Sequence, residues 1–146
     1  MGPTGVPGAL AGGNPASGRL VVGGGRAYPE NLRPDDITLD VRTAARPDIC
    51  GDIARAPFRS GTFGEVYFER VPFTAFSGRN LGALDEAARL LQPGGRLVIE
   101  TGRIAPVNEI VAGLRAAGFH TVTVTRRGLA LAAILRIEAV LGGSSP

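Results

Sequence analysis

The sequence has no lysine and no tryptophan, and only one cysteine, one histidine and one methionine. Each shortage closes a chemical route. All sixteen basic residues are arginine, so Schiff-base lysine chemistry and a P-loop lysine are excluded. Cys50 has no second cysteine to join, which excludes an internal disulfide and a cysteine metal cluster. A Ser-His-Asp triad or a histidine metal site would have to be built around His120 alone. That residue falls at the start of a predicted strand far along the chain, and it reads as structural. No run of about 18 apolar residues occurs, so no bilayer-spanning segment is expected. The first residues lack the basic-then-apolar pattern of a signal peptide, and a cytoplasmic location is expected.

The missing lysine has two readings. A GC-rich genome would produce it together with the abundant Gly, Ala and Pro. Selection against lysine in a domain delivered into a foreign cytosol, where lysines are tagged for destruction, would produce it too. The first is simpler.

What remains describes an ordinary globular chain. Its 146 residues favour one domain, a size at which roughly 70% of the unfolded surface can be buried. Apolar residues make up 44%, and the mean hydropathy is +0.13. The net charge is +3 and the isoelectric point about 10.0, yet the arginines are scattered, with Arg126-Arg127 the one adjacent pair. With aromatics at 5%, this argues against nucleic-acid binding.

Residues 1–18 are nearly all Gly, Pro, Ala and small polar types, a tail or linker that buries too little apolar surface to fold. Residues 19–142 form the expected domain, and 143–146 a disordered tail. Leu20-Val21-Val22 reads as a buried strand stopped by Gly23-Gly24-Gly25. Pro29 and Pro34 deny Arg26 to Asp36 a proper helix. Strands follow at Ile37 to Val41, Asp48 to Cys50 and Gly64 to Val71. The spacing of Leu81, Leu84, Ala87, Ala88 and Leu91 predicts a helix stopped by Gln92-Pro93-Gly94-Gly95. Arg96 to Ile99 is a fifth strand. Val107, Ile110, Val111, Leu114 and Ala117 define a second helix, closed by Gly118. His120 to Thr125 alternates as a strand and Arg126-Arg127-Gly128 reads as a turn. In Leu129 to Val140, Ala and Leu favour helix by propensity, but the alternation through Leu135-Arg136-Ile137-Glu138 and the tight turn favour the other arm of a hairpin. The fold class is therefore α/β: a Rossmann-like, mostly parallel sheet with a C-terminal antiparallel hairpin, as a three-layer or reduced sandwich.

In an open parallel sheet, ligands sit beyond the carboxyl ends of the strands. Gly23, Gly24 and Gly25 follow the first strand and offer backbone N–H groups to a carboxylate. Asp40 ends the second, where a carboxylate can accept from both hydroxyls of a ribose. Asp52 and Ile53 follow the third, an acceptor for an exocyclic amine beside an apolar face for a base. Glu69 and Arg70 follow the fourth. The set suits a nucleoside with an amino-acid-like tail. Phosphate fits less well, because Gly23-Gly24-Gly25-Arg26-Ala27-Tyr28 lacks the third glycine of G-x-G-x-x-G and a helix behind it. The plainer readings are a turn for the glycines, a cap for Asp52 and a solvated edge for Glu69.

Three stretches resemble the compact class I S-adenosylmethionine-dependent methyltransferases, of the type 11 kind: Leu20 to Gly25, Asp48 to Val66, and Glu86 to Ile99, the last similar to "E-x-x-R-V-L-K-P-G-G-x-L-x-I". The resemblance implies S-adenosylmethionine as cofactor and no metal. It places Gly23 and Gly25 along the methionine part, Asp40 at the ribose, Asp52 with Ile53 at the adenine, and Glu69 beside the transfer site as the candidate catalytic carboxylate, ahead of Glu100. It implies methyl transfer to a small-molecule or protein acceptor that the sequence does not name. The chain departs from the pattern at Val21-Val22, at Gly64 and at Glu69-Arg70-Val71-Pro72-Phe73, and no lid helix is evident. These departures motivate two alternatives, a methyltransferase-like scaffold without turnover and a cargo or toxin domain of a larger secreted protein. An uncovered crevice in so short a chain also invites a second copy as partner.

Overall fold

A computed structural model describes residues 18–27, 29–128 and 133–143. The expected linker, apart from Gly18, and the expected tail, apart from Gly143, lie outside the described residues, as do positions 129–132 of the last expected strand. The strands are β1 (Arg19–Val22), β2 (Ile37–Asp40), β3 (Ile49–Cys50), β4 (Phe63–Phe68), β5 (Leu91–Gly102), β6 (Phe119–Arg127) and β7 (Ile134–Leu141). The two α-helices among the described residues are α1 (Gly82–Leu90) and α2 (Val107–Ala116). Short 3-10 turns fill the loops after β1, β2, β3 and β4.

The seven strands form one sheet in the order β3-β2-β1-β4-β5-β7-β6. β7 alone runs against its neighbours. β1 pairs with both β2 and β4, so the winding direction reverses beside it, and the crevice at that reversal is the natural ligand position.

Strict alternation decides the layers. Leu20, Val22, Leu39, Val66, Phe68, Leu97, Ile99, Leu135 and Ile137 point to one face, where Leu84, Ala87 and Leu90 of α1 and Ile110 and Leu114 of α2 pack on them. Phe68 meets Phe76 edge-on at 5.5 Å between ring centroids. The other face carries Arg19, Val21, Glu65, Tyr67, Arg96, Val98, Glu100, Arg136 and Glu138, and no described helix covers it. There Val21, Tyr67 and Val98 form a small cluster with Leu32. Among the described residues the sandwich is thus reduced to two layers.

Several element boundaries differ from the sequence expectation. The helix stop at Gln92-Pro93-Gly94-Gly95 lies inside β5 as an irregular bulge. Phe63 pairs with Leu91, yet Glu65 already pairs with Arg96, and Gly94 takes φ +80° to absorb the extra residues. Arg126 and Arg127 belong to β6, paired with Leu135 and Ile134, so the turn begins later, at Gly128. β4 stops at Phe68 because Arg70 adopts a left-handed φ of 54°, which turns the chain out of the sheet. Gly18 is part of the domain, since its carbonyl accepts the amides of Gly64 and Glu65.

The helix-free face is held by ion pairs. Arg96 bridges Glu65 and Glu138, and Arg136 bridges Glu138 and Glu100. Burial alone would raise the Glu100 carboxyl, but hydrogen bonds from Tyr67 and Arg136 outweigh it and hold the carboxyl below the ordinary glutamate value. Hydrogen bonds from Arg89 and Arg136 likewise lower Glu86 and Glu138. A carboxylate lowered on folding stabilises the native chain above its unfolded pKa, and that contribution is lost as pH falls through and below it. The melting temperature is therefore expected to fall as pH is lowered from about 5 towards 3, by about 2–8 °C for each kcal/mol lost. A transition that stays level over that interval contradicts the account.

Candidate functional site

Two recesses open at the carboxyl ends of β1, β2 and β4. One, about 420 Å³, lies within the range of small-molecule sites and is lined mainly by apolar atoms of Val22, Leu39, Ile53 and Val71. Gly23, Asp40 and Asp52 complete its polar rim. The second recess adjoins it through Gly23, Arg42 and Arg70 and adds Gly24, Asn31 and Glu69. The fold thus brings six of the seven residues picked from the sequence to one rim. Gly25 lines neither recess.

Gly23 and Gly25 are required for reasons the sequence did not show, and Gly24 is crowded only by the end of the Glu69 side chain. A Cβ on Gly23 would lie 2.6 Å from Val71 Cγ2, at φ +92°. One on Gly24 would lie 2.5 Å from Glu69 Oε1, and one on Gly25 would lie 2.1 Å from the Ala45 carbonyl oxygen. The space left by each missing side chain is filled by the chain itself. What the loop keeps for a ligand is backbone: the Gly23 amide donates to Leu39, whereas those of Gly24 and Gly25 donate to no acceptor among the described residues.

Asp40 is buried, and Arg42 occupies its carboxylate. The Arg42 amide and Nε donate to Oδ1 at 2.9 and 3.2 Å, and Nη2 donates to Oδ2 at 2.8 Å. Burial would raise this carboxyl, but Arg42 more than offsets it and holds it below the ordinary aspartate value. Asp52 caps the turn Ile53–Arg55, with Oδ1 accepting from the Ala54 amide at 2.9 Å. The cap reading and a place on the cleft rim are therefore both met. Ile53 is buried and contributes to the core as well as to the cleft.

Glu69 is 8% exposed. Its Oε2 accepts from Asn31 Nδ2 at 2.7 Å, while Oε1 is buried without a hydrogen-bond partner. Glu100 lies on the helix-free face beside Tyr67 and Arg136, outside both recesses. His120 lines neither recess and pairs with Thr121. Among the described residues no group of His, Cys, Asp and Glu has the arrangement to hold a metal ion.

Sequence reasoning missed Arg42 and Asn31, and named Arg70 at the end of the fourth strand without giving it a role. The Asp40-Val41-Arg42 spacing was a usable signal, because residues two apart on an extended chain share a side. Asn31 carried none, since its position depends on how the loop after β1 crosses the sheet.

The fold is that of the class I S-adenosylmethionine-dependent methyltransferases, as comparison with solved structures shows. The N-methyltransferase NodS from Bradyrhizobium japonicum WM9, solved with S-adenosyl-L-homocysteine, is similar at TM-score 0.67 and 19% identity, over 91% of this chain and 81% of that one. The antibiotic-resistance methyltransferase Kmr is similar at 0.62 and 17%, over 94% and 91%. The [4+2]-cyclase SpnF is similar at 0.65 and 15%, over 87% and 76%. No family model and no curated protein matches the sequence. Identities this low establish the fold alone, and the cyclase among the neighbours shows that it hosts more than one chemistry.

Proposed function

We propose that the chain binds S-adenosylmethionine in the cleft at the β1–β4 reversal and transfers its methyl group to an acceptor. The observation that supports this is the convergence of Gly23, Asp40, Asp52 and Ile53 on one largely apolar cleft of about 420 Å³. The donor set fits the cofactor. The Gly24 amide is uncommitted and suits its carboxylate, Asp40 its ribose, Asp52 its exocyclic amine, and Ile53 and Val71 its base. The unpartnered Glu69 Oε1 fits too: a buried acceptor without a donor costs about 1–3 kcal/mol, a penalty relieved by an ammonium group in the second recess.

When bound, the cofactor supplies an electrophilic methyl on a sulfonium. Displacement at that carbon needs alignment and exclusion of water more than acid–base chemistry, which suits a site without lysine or histidine. Glu69 orients the acceptor, or receives its proton where the acceptor must lose one. Asp40 must first give up the Arg42 guanidinium to accept ribose hydroxyls, so Arg42 acts as an internal competitor.

Calorimetry with S-adenosylhomocysteine on the full chain tests the reading. Saturable binding is expected, weakened about tenfold or more by Asp40→Ala and tightened by Arg42→Ala. A second reading, a binding module without turnover, is favoured by the same Asp40–Arg42 pair if it never opens. The absence of heat at millimolar ligand in both the native chain and the Arg42→Ala variant rejects the cofactor assignment.

A further inference from the structure

Scattered along the chain, the arginines gather on the folded molecule. Six of them, Arg19, Arg33, Arg70, Arg96, Arg127 and Arg136, line one open cleft of about 330 Å³ on the helix-free face, with only Glu65 and Glu100 as acidic lining. Three are committed: Arg19 to Asp36, Arg96 to Glu65 and Glu138, and Arg136 to Glu100 and Glu138. Arg33, Arg70 and Arg127 make no ion pair among the described residues, although the charge of Arg127 reaches Glu100. All thirteen acidic side chains of the chain are among those described, and none of them lies within ion-pair distance of these three. Arg70 also lines both recesses at the β1–β4 reversal, so the basic cleft adjoins the proposed cofactor cleft at that side chain.

We infer that this cleft is the acceptor subsite and that the acceptor carries a phosphate group, held by Arg70 and Arg127 with Arg33 in support. The inference rests on the methyl-transfer reading. Three uncommitted guanidiniums exceed what one carboxylate needs and match a phosphate, whose oxygens accept forked pairs of N–H bonds. The cleft does not suit a nucleic-acid strand. Among the described residues its one aromatic, Tyr67, gives its hydroxyl to Glu100 and its ring to the Arg19 guanidinium at 5.1 Å, so no described ring is left as a platform for a base.

Calorimetry at low ionic strength tests this, with inorganic pyrophosphate as the probe, citrate as the carboxylate arm and a short single-stranded RNA as the polymer arm. One saturable pyrophosphate site per chain is expected, with citrate weaker. Arg70→Ala and Arg127→Ala should each weaken it about tenfold or more, and Arg59→Ala, outside the cleft, should leave it unchanged. Arg70 and Arg127 are exposed, so equal melting temperatures among the variants show that folding is intact. Absent saturation, or binding indifferent to both substitutions, overturns the site. Citrate binding as tightly overturns the phosphate assignment, and RNA binding a hundredfold tighter overturns the small acceptor. Pyrophosphate binding without S-adenosylhomocysteine binding overturns the acceptor role and the methyl-transfer reading together, whereas the reverse result overturns this subsite alone.

Discussion

Arg19→Ala is expected to destabilise the chain by about 3–5 kcal/mol, the range for breaking a buried ion pair from one side. Arg19 is 7% exposed and Asp36 5%. The guanidinium holds both carboxylate oxygens, Nε to Oδ1 at 2.9 Å and Nη2 to Oδ2 at 2.6 Å, and Nη2 also donates to the Asn31 carbonyl at 2.7 Å. Truncation leaves Asp36 with the Arg33 amide alone and strips the Tyr67 ring of its cationic cover. The pair as a whole need not be strongly stabilising, because two charges were desolvated to form it. Replacing both residues by leucine should therefore recover most of the loss. Urea unfolding of the two single variants and the double variant decides this. Purely additive losses would show that the ion pair is not the source.

Gly25→Ala is expected to be nearly as damaging, at about 2–4 kcal/mol. The added methyl would meet the Ala45 carbonyl oxygen at 2.1 Å and its carbon at 2.8 Å, and both are backbone atoms that cannot rotate aside. The segment is fixed on both sides, by the Arg26 amide on Arg46 and the Ala27 amide on Ala45, each at 3.0 Å. Relief requires these bonds to break and the loop beside Gly23 and Gly24 to shift. Gly82→Ala provides the contrast: open space surrounds that Cβ position at the start of α1, so the change should be neutral or stabilising by up to about 1 kcal/mol. Similar melting temperatures for the two variants would contradict the steric account.

Much of the architecture was legible because its causes are local. Alternation marked β6, β-branched and aromatic residues marked β4, and three- and four-residue steps in Leu81 to Leu91 and Val107 to Ala117 marked the helices. The order of Gly23, Asp40, Asp52 and Glu69 after successive strands marked the rim. What escaped depended on contacts between distant segments. Whether Gly25 is a plain turn or a steric necessity depends on Ala45, twenty residues on and in another loop. Glu65, Tyr67 and Arg96 visibly alternate with apolar residues, but their common face becomes basic only once β4 lies beside β5, and β5 beside β7. The carboxylate of Asp40 was identified and its Arg42 partner was not, since a charge two residues away can as readily point into water.

With both helices on one side, the sheet gives the molecule a sealed back and a soft front. Behind the cleft, Phe68, Phe76 and Leu84 interlock with no exposed surface, so nothing can enter there without dismantling the core. In front, the cover is made of long charged side chains that can swing on their own torsions while the backbone stays still. Exchange of ligands at the basic cleft is therefore expected to need rotation of exposed side chains, on the picosecond-to-nanosecond scale.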